Sequence, residues 1–251
     1  MPNTTTFAPG MFNWVELATT DEHSAVEFYT QLFGWSSDAS AMGPDEFYYM
    51  LKKDGRDVGA LYKRNQSEIP PNWLVYVTVA NADTAAARAR ELGATVIAEP
   101  FDVMEVGRMV LIQDPQGAML ALWQPKAHAG FGITDEPNTP CWFELNARDI
   151  DAAKKFYTAL FGWTMKESAE YTEWYHGGKA IGGALPSPAP PEVPSFWMHY
   201  IMADDCDATV TEAESLGGKA IVPPTDIPNV GRFAVLADRQ GATFAIVKME
   251  H

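Results

Sequence analysis

Two cysteines in 251 residues, Cys141 and Cys206, are too few for a disulfide framework, and their spacing matches no metal or redox motif. Positive charge is also scarce. Lys and Arg number 18 against 33 Asp and Glu, a formal charge of -15, and such a field repels nucleic acid and anionic membrane surfaces. Long hydrophobic runs are missing, since no segment approaches about 20 consecutive apolar residues. The opening residues "MPNTTTFAPGMF" lack the basic and apolar regions of a secretory leader. Cytoplasmic residence is therefore expected, with a small organic molecule as partner and with neither nucleic acid nor membrane. Histidine occurs five times without ligand spacing: His23, His128, His176, His199 and His251.

What is abundant is repetition. "WVELATTDEHSAVEFYTQLFGW" from Trp14 to Trp35 aligns without gaps on "WFELNARDIDAAKKFYTALFGW" from Trp142 to Trp163. "VGRMVLIQDPQGAMLAL" from Val106 repeats as "VGRFAVLADRQGATFAI" from Val230, in the same order. The chain is a tandem duplication. Its halves are expected at 1–125 and 140–251, joined by a Gly- and Pro-rich connector at 126–139.

Each half divides again. Alternation over Trp14–Ala18 predicts a strand, and Asp21 then caps a helix whose Ala25, Phe28, Tyr29 and Leu32 recur at helical spacing until Gly34 ends it. Strands are expected near Ser36, Phe47–Leu51 and Val58–Tyr62. The pattern restarts with a strand at Leu74–Val79, a helix at Asp83–Leu92, and strands near Thr95, Met109–Ile112 and Met119–Trp123. The fold class is α+β, four βαβββ units. Phe and Leu of "FYT..LFGW" face the sheet, which makes the repeated motif core packing. Asp114, Gln116 and Gly117, with Asp238, Gln240 and Gly241, read as turn chemistry.

Four βαβββ units carrying "FYT..LFGW" and a closing "DPQGAMLAL" hairpin resemble the vicinal oxygen chelate superfamily, which includes glyoxalase I, extradiol dioxygenases and bleomycin-resistance proteins. The resemblance implies paired units curving into a cup, twice over; the chain is expected as a monomer or a homodimer. It also implies a divalent metal held by inward His, Gln or Glu. At those positions the sequence has Trp14 and Trp142, Leu74 and Met198, and Ala121 and Ala245, so metal and other cofactors are not expected. A slip of one residue would reverse every side chain. Val15, Leu17, Phe143 and Leu145 support the register by forming an apolar face, and Val75, Val77 and Val79 do the same on the second-unit strand, which turns His199 toward the helices as a hydrogen-bonded core residue.

Trp14, Tyr76 and Trp123 should line the first cup, and Trp142, Met198 and Tyr200 the second; filled packing is the alternative to ligand binding. Glu16 and Glu144 share the inward face, where an unpartnered carboxylate is costly. Arg108 and Arg232 are the candidate partners, and the two pairs are either ligand-binding and catalytic groups or structural ion pairs. The leading expectation is a metal-free binding protein of the bleomycin-resistance type. The other is a glyoxalase-, dioxygenase- or hydroxylase-like enzyme with an atypical site, in which Glu16 and Glu144 hold a divalent metal or act without one. "LPSPAPPEVPSFW" is richer in proline than "LYKRNQSEIPPNW", so the halves are expected to differ in ligand or occupancy.

Overall fold

The structure, a computed structural model, describes residues 7–64 and 69–250. Four modules follow one another. The first holds β1 (Phe12–Thr19), α1 (Glu22–Phe33), β2 (Ser36–Gly43), β3 (Glu46–Lys53) and β4 (Arg56–Lys63). The second holds β5 (Asn72–Thr78), α2 (Ala82–Glu91), β6 (Thr95–Val103), β7 (Gly107–Gln113) and β8 (Met119–Pro125). The third holds β9 (Pro140–Ala147), α3 (Ile150–Phe161), β10 (Thr164–Glu167), β11 (Thr172–His176) and β12 (Lys179–Pro186). The fourth holds β13 (Phe196–Met202), α4 (Cys206–Ser215), β14 (Lys219–Ile227), β15 (Gly231–Ala237) and β16 (Thr243–Met249).

Two eight-stranded mixed sheets result, ordered β2-β3-β4-β1-β5-β8-β7-β6 and β10-β11-β12-β9-β13-β16-β15-β14. The first and last strands of each module run parallel, with antiparallel hairpins between. The helices end where local chemistry stops them. Asp21 accepts from the Ser24 amide at 3.0 Å, Asp149 caps α3 in the same way, and Gly34 and Gly162 close with φ of 65° and 71°.

Two compact units are defined by internal contact. One comprises the described residues up to Trp14 with Leu74–Gly130 and Trp142–Met198, so that the second and third modules pack together. The other comprises Val15–Trp73, Phe131–Cys141 and the described residues from His199, joining the first and fourth. Each unit therefore draws on both halves of the duplication.

The repeated motif explains this pairing. In the first unit the Tyr157 hydroxyl, on α3, donates to Asp114 Oδ2 at 2.8 Å and accepts from Trp197 Nε1 at 3.0 Å. Asp114 Oδ1 meanwhile takes the amides of Gln116 and Ala118, fixing the hairpin turn. The second unit repeats the arrangement: Tyr29 donates to Asp238 at 3.1 Å, Trp73 donates to Tyr29 at 3.0 Å, and Asp238 holds the Gln240 and Ala242 amides. Phe28 and Phe33 pack on Phe244, while Phe12 stacks on Phe143 with centroids 4.4 Å apart. The motif is core packing, as expected, and its tyrosine also ties each unit together through a turn of the other half.

Trp73 on β5 and Trp197 on β13 thus mark the helix-bearing faces, and alternation sends Leu74, Tyr76, Met198 and Tyr200 to the opposite, helix-free faces. His199 lies on the helix-bearing side, 1% exposed, with its ring 4.7 Å from Trp73. The expected hydrogen bond is absent: neither ring nitrogen has a hydrogen-bond partner among the described residues, and the ring instead lies tilted at 55° against the Trp73 indole. Burial holds this imidazole neutral, with its pKa pushed down to about 3. His251 lies outside the described residues.

Candidate functional site

The inward glutamates meet tyrosines. The strand register sets Glu16 opposite Ala60 and Tyr48 opposite Tyr62, and the Tyr48 hydroxyl donates to Glu16 Oε2 at 2.7 Å. In the other half Glu144 is opposite Gly183, and the Tyr171 hydroxyl donates to Glu144 Oε2 at 3.0 Å. Counting from these registers, Tyr48 and Tyr171 occupy equivalent places, so the Glu–Tyr pair is duplicated with the fold. Sequence reasoning missed both tyrosines because "FYYML" and "YTEWY" share little visible pattern.

Arg108 and Arg232, the expected partners of those glutamates, are engaged elsewhere. Arg108 makes a two-pronged bond to Asp83 at 2.8 and 2.9 Å and also reaches Asp102. Arg232 does the same with Asp207, at 2.6 and 2.9 Å, and with Asp226 at 2.7 Å. Asp83 and Asp207 sit in the first turns of α2 and α4, so the arginines belong to the helix-bearing side. The recurrence of Asp at that helix position was the signal available in the sequence.

The second pair is extended. Trp142 Nε1 donates to the Tyr171 hydroxyl at 2.8 Å, giving a chain from indole to phenol to carboxylate. A Cβ added at Gly183 would lie 2.1 Å from the Tyr171 hydroxyl, so glycine allows this ring to cross the strand. Burial first, and then the negative charge of Glu144, raise the Tyr171 pKa far above the usual phenol range. The hydroxyl therefore keeps its proton at neutral pH and acts as a donor.

The aromatic set of the first half is packed. Trp14, Tyr76 and Trp123 are 3%, 3% and 5% exposed, and His128 of the connector stands edge-on to Trp14 with centroids 4.5 Å apart. The Trp123 indole donates to the His128 carbonyl at 2.9 Å, while Lys126 and His128 amides both bond Val106 O at 3.0 Å. Trp123 covers Gly107, where a Cβ would fall 2.1 Å from the ring. His128 had no role assignable from the sequence, as nothing in "KAHAGFG" indicates that the connector returns to the sheet. Trp142, by contrast, is half-buried, and Met198 and Tyr200 are each 7% exposed.

The places where the family resemblance implies metal ligands carry indole, thioether and hydrocarbon, with Ala121 beside Tyr76 and Ala245 beside Tyr200 in the ladders, and these side chains do not fit a divalent metal. Among the described residues no three His, Cys, Asp or Glu side chains gather as a metal would require. Cys141 and Cys206 are held as thiols, burial pushing their pKa values up to about 12 and about 11.

The duplicated stretches each match a known family. The Glyoxalase/Bleomycin resistance protein/Dioxygenase superfamily matches residues 11–122 and 139–246, and the chain belongs to it. The chain is 37% identical to a Mycobacterium tuberculosis protein named as a glyoxylase, CFP32, over 99% of this chain and 98% of that one. It is 34% identical to the anthracycline biosynthesis protein DnrV of Streptomyces peucetius, over 98% of this chain and 95% of that one. Among solved structures, the Mn(II)-bound glyoxalase of Novosphingobium aromaticivorans superposes with a TM-score of 0.68 at 14% identity, covering 96% of this chain and 83% of that chain. At that identity the likeness concerns the fold alone. No helix among the described residues is long and apolar enough to cross a membrane.

Proposed function

We propose that the protein binds a flat, largely apolar organic molecule on a helix-free sheet face without using a metal. The supporting observation is the Glu–Tyr pair repeated in both halves, 2.7 and 3.0 Å long, on faces whose ligand positions in metal-dependent relatives are aromatic or aliphatic here. Such a surface offers stacking and apolar contact, with a carboxylate fixing orientation. The relationship to DnrV, named for anthracycline biosynthesis, favours a polycyclic aromatic ligand.

Anthraflavic acid, an anthraquinone with a hydroxyl at each end, is a suitable probe. Calorimetric titration should show binding that survives prior treatment with EDTA, and Glu144→Gln together with Tyr171→Phe should weaken it about tenfold or more. Binding that disappears with EDTA and returns with Mn or Zn would refute the metal-free reading.

A catalytic reading has its own support, because a carboxylate in contact with a phenol that keeps its proton is a base beside a proton donor. In that case Glu144 accepts a proton from bound substrate while Tyr171 orients the carboxylate. Turnover of a dicarbonyl or aromatic substrate that is unchanged in Glu144→Gln and Glu16→Gln would exclude it.

A further inference from the structure

The two duplicated faces differ most in what lies beside the Glu–Tyr pair. In the second half Glu144 is opposite Gly183, and Gly183 is opposite Glu173, three neighbouring residues in register on β9, β12 and β11. Residues in such a row project from the same face, so the carboxylates of Glu144 and Glu173 share it about two strand spacings, ~10 Å, apart. Tyr171 crosses Gly183 between them, and its phenol feels both charges. The corresponding three places in the first half hold Glu16, Ala60 and Met50; the next residue out is Asp38, paired to Lys52 at 2.7 Å, where the second half has Lys166.

Two carboxylates of the second face each take a tyrosine proton. The Tyr171 proton is committed to Glu144, and the Tyr175 hydroxyl donates to Glu173 Oε2 at 2.8 Å. Lys166 lies opposite Glu173 in the ladder and flanks this end of the face with a positive charge. A carboxylate is an acceptor only, so the complementary group must be a donor. Trp142 and Tyr171 are half-buried and supply a ring surface, whereas the equivalent Trp14 is covered by His128.

We infer that the duplicated sites have divided their roles. The second-half face is the binding site, and it selects a flat aromatic molecule with O–H or N–H donors at two separated positions, one for Glu144 and one for Glu173. The first-half aromatic set is a structural core closed by His128 of the connector. The inference rests on the flat-ligand reading above and adds which half binds and what the ligand must carry. Glu173 is the residue that separates the two sites.

The test uses the full chain, anthraflavic acid and its dimethyl ether, which has the same rings without the donors. Titration followed by calorimetry and by the indole N–H signals, assigned with Trp142→Phe, should give one site per chain. The Trp142 signal should move, and those of Trp14 and Trp123 should stay. Glu173→Met places the first half's residue in the second site, and a methionine suits a half-buried strand position. It should weaken anthraflavic acid at least tenfold without changing its weaker binding of the ether, as expected for loss of a hydrogen bond to a charged acceptor. Equal affinity for the ether and the parent, an unchanged affinity in Glu173→Met, or two equivalent sites per chain would overturn the inference while leaving the flat-ligand reading intact. Failure of both compounds to bind would overturn that reading itself.

Discussion

At the scale of single residues, the buried polar groups set the stability and its dependence on pH. Tyr29 and Tyr157 each supply the phenol proton to a buried turn carboxylate, and Tyr157→Phe should cost about 1–3 kcal/mol in urea unfolding because Asp114 Oδ2 and Trp197 Nε1 both lose their partner. Desolvation raises the pKa of Asp114 and Asp238 above that of the unfolded chain, so the native state binds the proton more tightly. Their contribution to stability then falls as pH rises through the interval between unfolded and folded values, and acidification restores it. His199 acts in the opposite direction. Its folded pKa of about 3 lies below the unfolded 6.5, so stability is lost as pH falls below 6.5. Such a difference amounts to several kcal/mol, on the order of 1.4 kcal/mol for each pKa unit. Replacing His199 by Phe should therefore flatten the urea midpoint between pH 6.5 and about pH 4, and a profile as steep as that of the parent would contradict this.

At the scale of elements, caps and crossings govern. Gly162 ends α3 with φ of 71° and has no heavy atom within 4 Å of an added Cβ, so Gly162→Ala isolates backbone strain and should cost about 1 kcal/mol. Gly107→Ala should cost more, about 2–3 kcal/mol, and should shift tryptophan fluorescence, because the methyl displaces the Trp123 ring. Most of these elements were legible in the sequence. Asp21, Gly34 and the alternation around Trp14 and Leu74 have local causes, and β1, α1 and β5 occur where those causes place them. The Glu–Tyr pairs were not legible, because Tyr48 and Tyr171 reach their glutamates across an intervening strand whose register depends on bulges near Leu51 and Trp174. The partners of Arg108 and Arg232 are not legible for a related reason: alternation alone leaves open which face of β7 and β15 they take, whereas the helix-borne Asp83 and Asp207 decide it. For the second-half site, Trp142 and Glu144 could be named from the pattern, while Glu173 needed the three-strand register.

For the whole molecule, the decisive feature is that each compact unit takes one module from each half. A fragment ending at residue 125 retains Tyr29, Phe28 and Phe33 but lacks Asp238 and Phe244, their partners. Such a fragment should have no folded monomer. In sedimentation and near-ultraviolet dichroism it should either be unfolded or fold only by pairing with another copy, Tyr29 of one meeting Asp114 of the other. Mixing it with a fragment covering 126–251 should restore the dichroism of the intact chain, and a folded monomeric fragment would refute the interlock. The connector gains a second meaning from this. By tethering two pieces that need each other, it turns what would be a meeting between molecules into a search within one, at an effective concentration of roughly millimolar. The intact protein should consequently unfold at the same denaturant concentration however far it is diluted, whereas the severed pair should come apart as the solution thins.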